Sequence, residues 1–347
     1  MSLDRYVYSC KRRILIHLRY LLIGGVVAAD LELRRFMTKV ARMYYTHGIR
    51  QIEIASSLGI SQARVSRLLQ AAEQAKIVRT IVVIPEGLHA EIEEDLQARY
   101  GLSQVHVVEA LDPSDEAGIN RDLGEAAALI LGAMQLSGKT IGFTSWSRSL
   151  RSLVAALEPS KKRSDATRIV EMLGDVGPPQ LQHDSTQSTQ RFADLVGGTP
   201  LFIRAPGVLS SAEVRDAMMN YDVHTREAIA ALDELNVALV GIGTCNIDAP
   251  LEPGGNFFTV EQFEMVKSLG AVGQINLRFI DAEGIPIESE LDSLVIGVTL
   301  AQLPAHGGRF AVAGGRSKYE AVRAALRGHW IDTLVTDMET AERLLRE

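Results

Sequence analysis

The sequence predicts a small all-α helix-turn-helix domain joined to an α/β, Rossmann-like effector domain with a mainly parallel sheet. Three observations carry that prediction. Two short helical patterns separated by a glycine lie in a basic N-terminal stretch, and short apolar runs then alternate with helical patterns to the end of the chain. Charge divides at the same place. Residues 1–85 hold 14 Lys and Arg against 5 Asp and Glu, net +9, whereas the other 262 hold 22 against 38, net −16. A basic head on an acidic body implies a polyanionic partner for the head alone, nucleic acid in the first instance. At 347 residues the chain exceeds one ordinary compact domain, and 46% hydrophobic with 23% charged residues excludes a disordered or fibrous protein.

The expected division is an extension over 1–32, a DNA-binding domain over 33–85 and a ligand-binding and oligomerisation domain over 86–347. The extension imitates a secretory signal, with Lys11, Arg12 and Arg13 ahead of an apolar run at 21–29. Nine residues are far short of the roughly 20 that span a bilayer, so no membrane segment is expected. Export would also be incongruous ahead of a DNA-binding unit. The extension therefore reads as a start placed too early or a basic tail, and the expected compartment is the cytoplasm. Cys10 and Cys245, the two cysteines, lie too far apart in sequence to form a CxxC motif, which agrees with a reducing compartment.

In the head, Leu33, Phe36, Met37, Val40, Ala41, Met43 and Tyr44 follow helical spacing and Gly48 stops the run. Next, Ile52, Ala55 and Leu58 line one face of a short helix, Gly59 permits a sharp turn, and Ser61 is placed to cap a second helix. Val65, Leu68, Leu69 and Ala72 of that second helix face inward. Gln62, Ala63, Arg64, Ser66 and Arg67 are left outward, where a helix in the major groove presents its first turns to base edges. By residue type, Arg64 suits guanine and Gln62 adenine, while Arg50, Gln51, Ser61, Ser66 and Arg67 suit phosphates, which give affinity and orientation but little sequence information.

In the body, strands are expected at 104–108, 140–143, 168–173, 237–240, 310–313 and 333–335. Helices are expected at 122–136, 150–157, 223–235, 260–269, 318–326 and 340–345. Such alternation gives parallel strands whose sheet is covered on both faces, with ligands beyond the strand carboxyl ends. Three strand-to-helix loops stand out. TIGFTSWSRSL offers Thr144, Ser145, Ser147, Arg148 and Ser149 at a helix start; ALVGIGTCN offers Gly241, Gly243 and Thr244; VAGGRSKYEAV offers Gly314, Gly315, Ser317 and Lys318. Hydroxyls, cations and helix N-terminal amides make an anion cradle. Each loop taken singly needs its glycine for geometry alone, but three at equivalent strand ends point to a shared site for a phosphorylated small molecule. Nucleotides are disfavoured, because the body contains neither GxxxxGK[ST] nor GxGxxG.

Other residues read more plainly. The Thr336 and Glu339 pair has capping-box spacing, with Asp337 stabilising a helix start. His183, His224, His306 and His329 lack metal-ligand spacing, so no metal and no cofactor is expected. Trp146 fits core or ligand equally, and the polar stretch with Asp184, Thr186 and Gln187 reads as a loop, over the site or away from it.

With these residues assembled, the chain resembles the SorC family of bacterial sugar-responsive transcriptional regulators from about residue 33 to its end. The resemblance rests on ARMYYTHGIRQIEIASSLGISQARVSRLL, IGFTSWSRSL, VGIGT, AVGQINLRFIDAEGIPI and FAVAGGRSKYEAVRAALRGHWIDTLVTDMETAERLL, in that order. It implies an effector domain related to sugar-phosphate isomerases, a phosphorylated sugar or polyol as effector, a homodimer or homotetramer, a palindromic operator, and control of carbohydrate catabolic genes. Two departures stand out. Ser147 and Ser149 replace a glycine and a threonine of the family loop, and Gln274 stands where an acidic residue is frequent. The alternative is a sugar-phosphate isomerase or deaminase fused to a DNA-binding head, but the three loops lack an Asp/Glu and His pairing to act as acid and base.

Overall fold

The structure, a computed structural model, describes residues 31–78, 89–160, 164–246, 255–305 and 307–346. They fall into two compact units, one within residues 1–83 and one within 84–347. Pro85, Arg79, His306 and nearly all of the basic extension lie outside the described residues.

The first unit is helical. Helix α1 (31–41) runs into a π-helical turn, Arg42–Thr46, and is followed by α2 (Gln51–Leu58) and α3 (Gln62–Gln74). Met37, Val40 and Ala41 pack with Ile54 and Ala55 of α2 and with Val65, Leu68, Leu69 and Ala72 of α3. The inward face expected for the second helix of the pair is the one buried. That expected for α2 is corrected, since Ile52 is 62% exposed and Ile54 is fully buried. At about 100° per residue, Ile54, Ala55 and Leu58 share one face, and Ile52, about 160° round from Ile54, falls outside it. Leu33, one turn ahead of Met37, is exposed, and so is Tyr44, because the wide π turn shifts the helical register there.

The second unit begins with α4 (Ala90–Tyr100), β1 (Gln104–Val108), α5 (Glu116–Ala133), β2 (Thr140–Phe143), α6 (Arg148–Ala156) and β3 (Arg168–Glu171). It continues with α7 (Pro179–Val196), β4 (Thr199–Leu201), α8 (Ala212–Tyr221), α9 (Val223–Ala231), β5 (Val237–Val240) and β6 (Ile242–Thr244). Then come α10 (Val260–Ser268), β7 (Gly273–Ile275), β8 (Arg278–Ile280), β9 (Arg309–Val312), α11 (Tyr319–Arg327), β10 (Thr333–Asp337) and α12 (Met338–Arg346). Seven strands form one sheet in the order β1-β10-β9-β5-β2-β3-β4, each pairing parallel, while β6-β7-β8 form a small antiparallel sheet. Alternate residues serve opposite faces: Val237 and Leu239 join the core that contains α5 and α6 residues, and Ala238 and Val240 join the core beneath α9 and α11. That is why these strands read as unbroken apolar runs.

From β2 the chain winds through β3 to β4, then returns to place β5 on the other side of β2. The β2/β5 boundary is thus the topological switch point, the place where an open parallel sheet leaves a crevice.

Several expected boundaries move. The run at 168–173 ends as a strand at Glu171, that at 310–313 is β9, starting at Arg309, and β10 extends to Asp337. The helix expected at 122–136 starts earlier, at Glu116, where Asp115 caps it by accepting from Ala117 N at 3.0 Å. The pattern at 318–326 begins as a 3-10 turn, Arg316–Lys318, ahead of α11. The polar stretch with Asp184, Thr186 and Gln187 is helical, being part of α7, whose inward face carries small polar Ser185 and Thr189 beside Phe192 and Ala193. The capping box expected at Thr336 and Glu339 does not form. Asp337 caps instead: Oδ1 accepts from Thr340 N at 2.9 Å and Oδ2 from the Thr340 hydroxyl at 2.7 Å, while Glu339 binds Arg316.

Candidate functional site: a cavity at the switch point and a helix-turn-helix

A cavity of about 190 Å³ opens at the switch point, beyond the carboxyl ends of β2, β5 and β9. Of the residues expected to bind a ligand, Ser147, Arg148, Gly241, Gly243, Thr244, Gln274, Gly314 and Lys318 line it. Four do not. The Thr144 hydroxyl is buried between the Leu239 carbonyl (3.0 Å) and Asn276 (2.8 Å) and accepts from Gly241 N, so it braces the loop that forms the wall. Ser149 donates to the Val312 carbonyl at 2.8 Å and ties α6 to β9. Ser145 faces a separate small hollow beside Glu171 and Asp175. Gly315, at φ +88°, turns the chain so that its N–H reaches Asp337 at 2.7 Å.

Ser317, offered by the third loop, and Trp146, left open between core and ligand, line it too, and residues that sequence reasoning did not place there complete the wall: Glu116 and Asn120 from α5, Arg151 from α6, Leu181 from α7, then Ile242, Asn246 and Phe257. Arg151 carried a signal that was open to reading, since it lies one helical turn beyond Arg148 and so shares its face. Glu116 and Asn120 carried none, because α5 starts earlier than its apolar periodicity. Trp146 serves both purposes left open for it. It lines the cavity and meets Phe257 edge to face at 6.5 Å, at the margin of an aromatic cluster with Phe258, Phe263 and Phe279.

The starts of α5, α6 and α11 converge on this cavity. Asp115 answers the positive end of α5, whereas the residues flanking α6 and α11, Ser147 and Lys318, make no capping hydrogen bond through their side chains. Burial lowers the pKa of Arg151 from the ordinary arginine value; Asp184, 3.9 Å away, offsets this and nearby Arg148 adds to it. Two arginines and Lys318 thus share a small wall with one lining carboxylate, Glu116. Gln274 is 3% exposed, and its Oε1 accepts from Leu277 N at 2.8 Å. A Cβ at Gly243 would stand 2.0 Å from Gln274 Nε2, so glycine at that position is what lets the amide cross β6. Cys245, nearby, is buried, and desolvation pushes its thiol up to about 11, which makes it inert.

Among the described residues no group of three His, Cys, Asp or Glu is placed to hold a metal ion, and no helix is long and apolar enough to cross a membrane.

In the helical unit, Gly59 ends α2 in the left-handed region at φ +62°, and Ser61 caps α3 by accepting from Arg64 N at 3.3 Å. Gln62, Ala63, Arg64, Ser66 and Arg67 are all exposed along the outer face of α3, and Gln51 is half-buried at the start of α2. Arg50 is held in an exposed pair with Glu53 at 2.6 Å, a contact weak enough to be exchanged for a phosphate.

A helix-turn-helix unit and a parallel α/β unit with a cavity at its switch point define the class of two-unit transcriptional regulators. Residues 87–346 match the family described as "Putative sugar-binding domain". The chain is 31% identical to the deoxyribonucleoside regulator of Bacillus subtilis, over 92% of this chain and 99% of that one. It is 33% identical to the transcriptional regulator LsrR of Klebsiella pneumoniae, over 93% and 95%. The crystal structure of the full-length sorbitol operon regulator SorC from Klebsiella pneumoniae superposes with a TM-score of 0.67 at 28% identity, covering 90% of this chain and 98% of that one. The chain belongs to this sugar-binding family of SorC-type transcriptional regulators, whose named relatives are regulators and not enzymes.

Proposed function

We propose that the chain is a cytoplasmic, sequence-specific DNA-binding regulator of carbohydrate catabolic genes, governed by a phosphorylated sugar or polyol held in the switch-point cavity. The observation that carries the ligand is the convergence of Arg148, Arg151 and Lys318 with the starts of α6 and α11 on one small cavity. Ser147 and Thr244 add hydroxyls, and Gly241, Gly243 and Gly314 let backbone approach. On the DNA side, α3 enters the major groove; Arg64 and Gln62 read bases, and Arg50, Gln51, Ser61, Ser66 and Arg67 hold phosphates. Ala63 leaves room for close approach. A homodimer or homotetramer presents two such helices to a palindromic operator, and the effector acts by binding one arrangement more tightly than the other.

Two substitutions test the assignment by gel shift with and without ligand. Arg148→Ala removes the ligand response and keeps operator binding; a normal ligand response in that variant overturns the anion site. Arg64→Ala costs about 1–3 kcal/mol of discrimination between operator and altered operator. Unchanged selectivity would refute base reading by Arg64.

A further inference from the structure

We infer that Gln70, on the third turn of α3, is a further base-reading residue, which hydrogen-bonds an adenine of the operator half-site. This rests on the reading of α3 as the helix that enters the major groove, and it lengthens the part of that helix that reads sequence.

Position on the helix is the first reason. At about 100° per residue, Ala63, Arg67 and Gln70 lie between about 140° and 160° round from Val65, the fully buried residue of the inward stripe, so they form one line down the middle of the outer face. All three are exposed. At about 1.5 Å per residue, Gln70 stands roughly 10 Å along the axis from Ala63, the rise of about three base pairs. A helix that meets the groove with this line brings Gln70 to a base pair that the first turn does not reach.

The surroundings of the line are the second reason. Glu73, the one acidic residue of α3, lies at the flank, about 80° round from Val65, and its carboxylate accepts from the Tyr45 hydroxyl at 2.6 Å. No carboxylate therefore stands on the line to repel DNA, as far as Gln74 at the end of the helix. Ala63 is too small to hold the first turn away from base edges. Arg67, between Ala63 and Gln70, turns its Nε back to the Ala63 carbonyl at 3.3 Å, toward the helix start, and leaves the third turn clear.

Chemistry supplies the base. The Gln70 amide bonds no other described residue, so its oxygen and its NH₂ group are both open to a ligand. A donor and an acceptor at fixed spacing match adenine, whose N6 donates and N7 accepts, and no other single base offers that pair in the major groove. A phosphate only accepts, so it would use the NH₂ group alone.

The experiment is selection of duplexes from a randomised pool by the full chain, followed by fluorescence anisotropy with each base pair of the selected duplex replaced in turn, for the parent, Gln70→Ala and Gln70→Glu. In the parent, replacing one A·T pair of the half-site should weaken binding roughly tenfold. Gln70→Ala should shrink that penalty to less than about twofold and leave both the penalties at other pairs and the salt slope as they were. Gln70→Glu, which can only accept, should move the preference at that pair to cytosine, whose N4 donates. Melting curves like the parent's show that the exposed substitutions leave the fold intact. Penalties in Gln70→Ala that match the parent's at every pair, or a loss of affinity equal for all sequences, overturn base reading by Gln70. A relaxed pair that is not A·T overturns the choice of adenine. If Gln70 fails while Arg64→Ala relaxes a pair of its own, the reading of α3 stands without this inference; if the parent selects no sequence, both fall.

Discussion

Glu171 shows how a single buried group sets a property of the whole fold. Its carboxyl closes the end of β3, accepts from the Thr189 hydroxyl at 2.9 Å and from Ile203 N at 3.2 Å, and is pushed up to about 7 by burial, with nearby Asp175 adding to the rise and Arg204 opposing it. A folded pKa above the unfolded value of about 4.3 means that the stabilising contribution is complete below pH ~4.3 and is lost as pH rises through 7. The loss is on the order of 3–4 kcal/mol across that window. Glu171→Gln removes the titratable proton: its amide oxygen can accept from Ile203 N while its NH₂ donates to the Thr189 hydroxyl, whose own proton goes to the Ser185 carbonyl. Its unfolding midpoint should therefore fall less between pH 5 and 7.5 than the parent's, by several degrees, and parallel pH profiles would show that Glu171 is not the group responsible. Single residues were unevenly legible. Arg148 and Lys318 were readable from loop position, whereas the structural duties of Thr144 and Ser149 depend on carbonyls of β5 and β9 that are distant in sequence.

Elements announce themselves when one force dominates their composition. The central strands were legible because burial on both faces leaves mostly apolar residues, wholly so in β5, and α3 because its inward stripe of Val65, Leu68, Leu69 and Ala72 follows helical spacing. Helix α7 was missed because its buried face uses Ser185 and Thr189, the latter bonded to Glu171, so the segment lacks an apolar stripe. The strands of the small sheet are three residues each, too short for alternation to be read, yet they bring Gln274 to the cavity. The turn between α2 and α3 offers a clean test of element geometry. A Cβ at Gly59 meets nothing within 4 Å, so the cost of Gly59→Ala is purely that of φ +62°. The expected loss is about 1–2 kcal/mol, read as a lower unfolding midpoint of the helical unit with packing unchanged. A neutral substitution would mean that the turn relaxes out of the left-handed region.

At the scale of the whole molecule, the opposed charges of the two halves separate affinity from control. The acidic body contributes no attraction to DNA, so the proposed contact is confined to a few cations, and the counterions they release set the salt dependence. Arg67 is suited to that count because it is exposed on α3 and its Nε bonds only the Ala63 carbonyl one turn back, at 3.3 Å, so its removal leaves the core of the unit untouched. Each phosphate contact adds about −0.9 to the slope of log K against log salt. Arg67→Ala should flatten the slope by about 2 if two copies engage the operator and by about 1 if one does. Fluorescence anisotropy with a labelled operator, from low to physiological salt, measures it. An unchanged slope removes Arg67 from the phosphate contacts, and the size of a real change counts the recognition helices on the DNA. That count decides whether an effector bound in the body must act through the spacing of two heads, since a lone head has no spacing to alter.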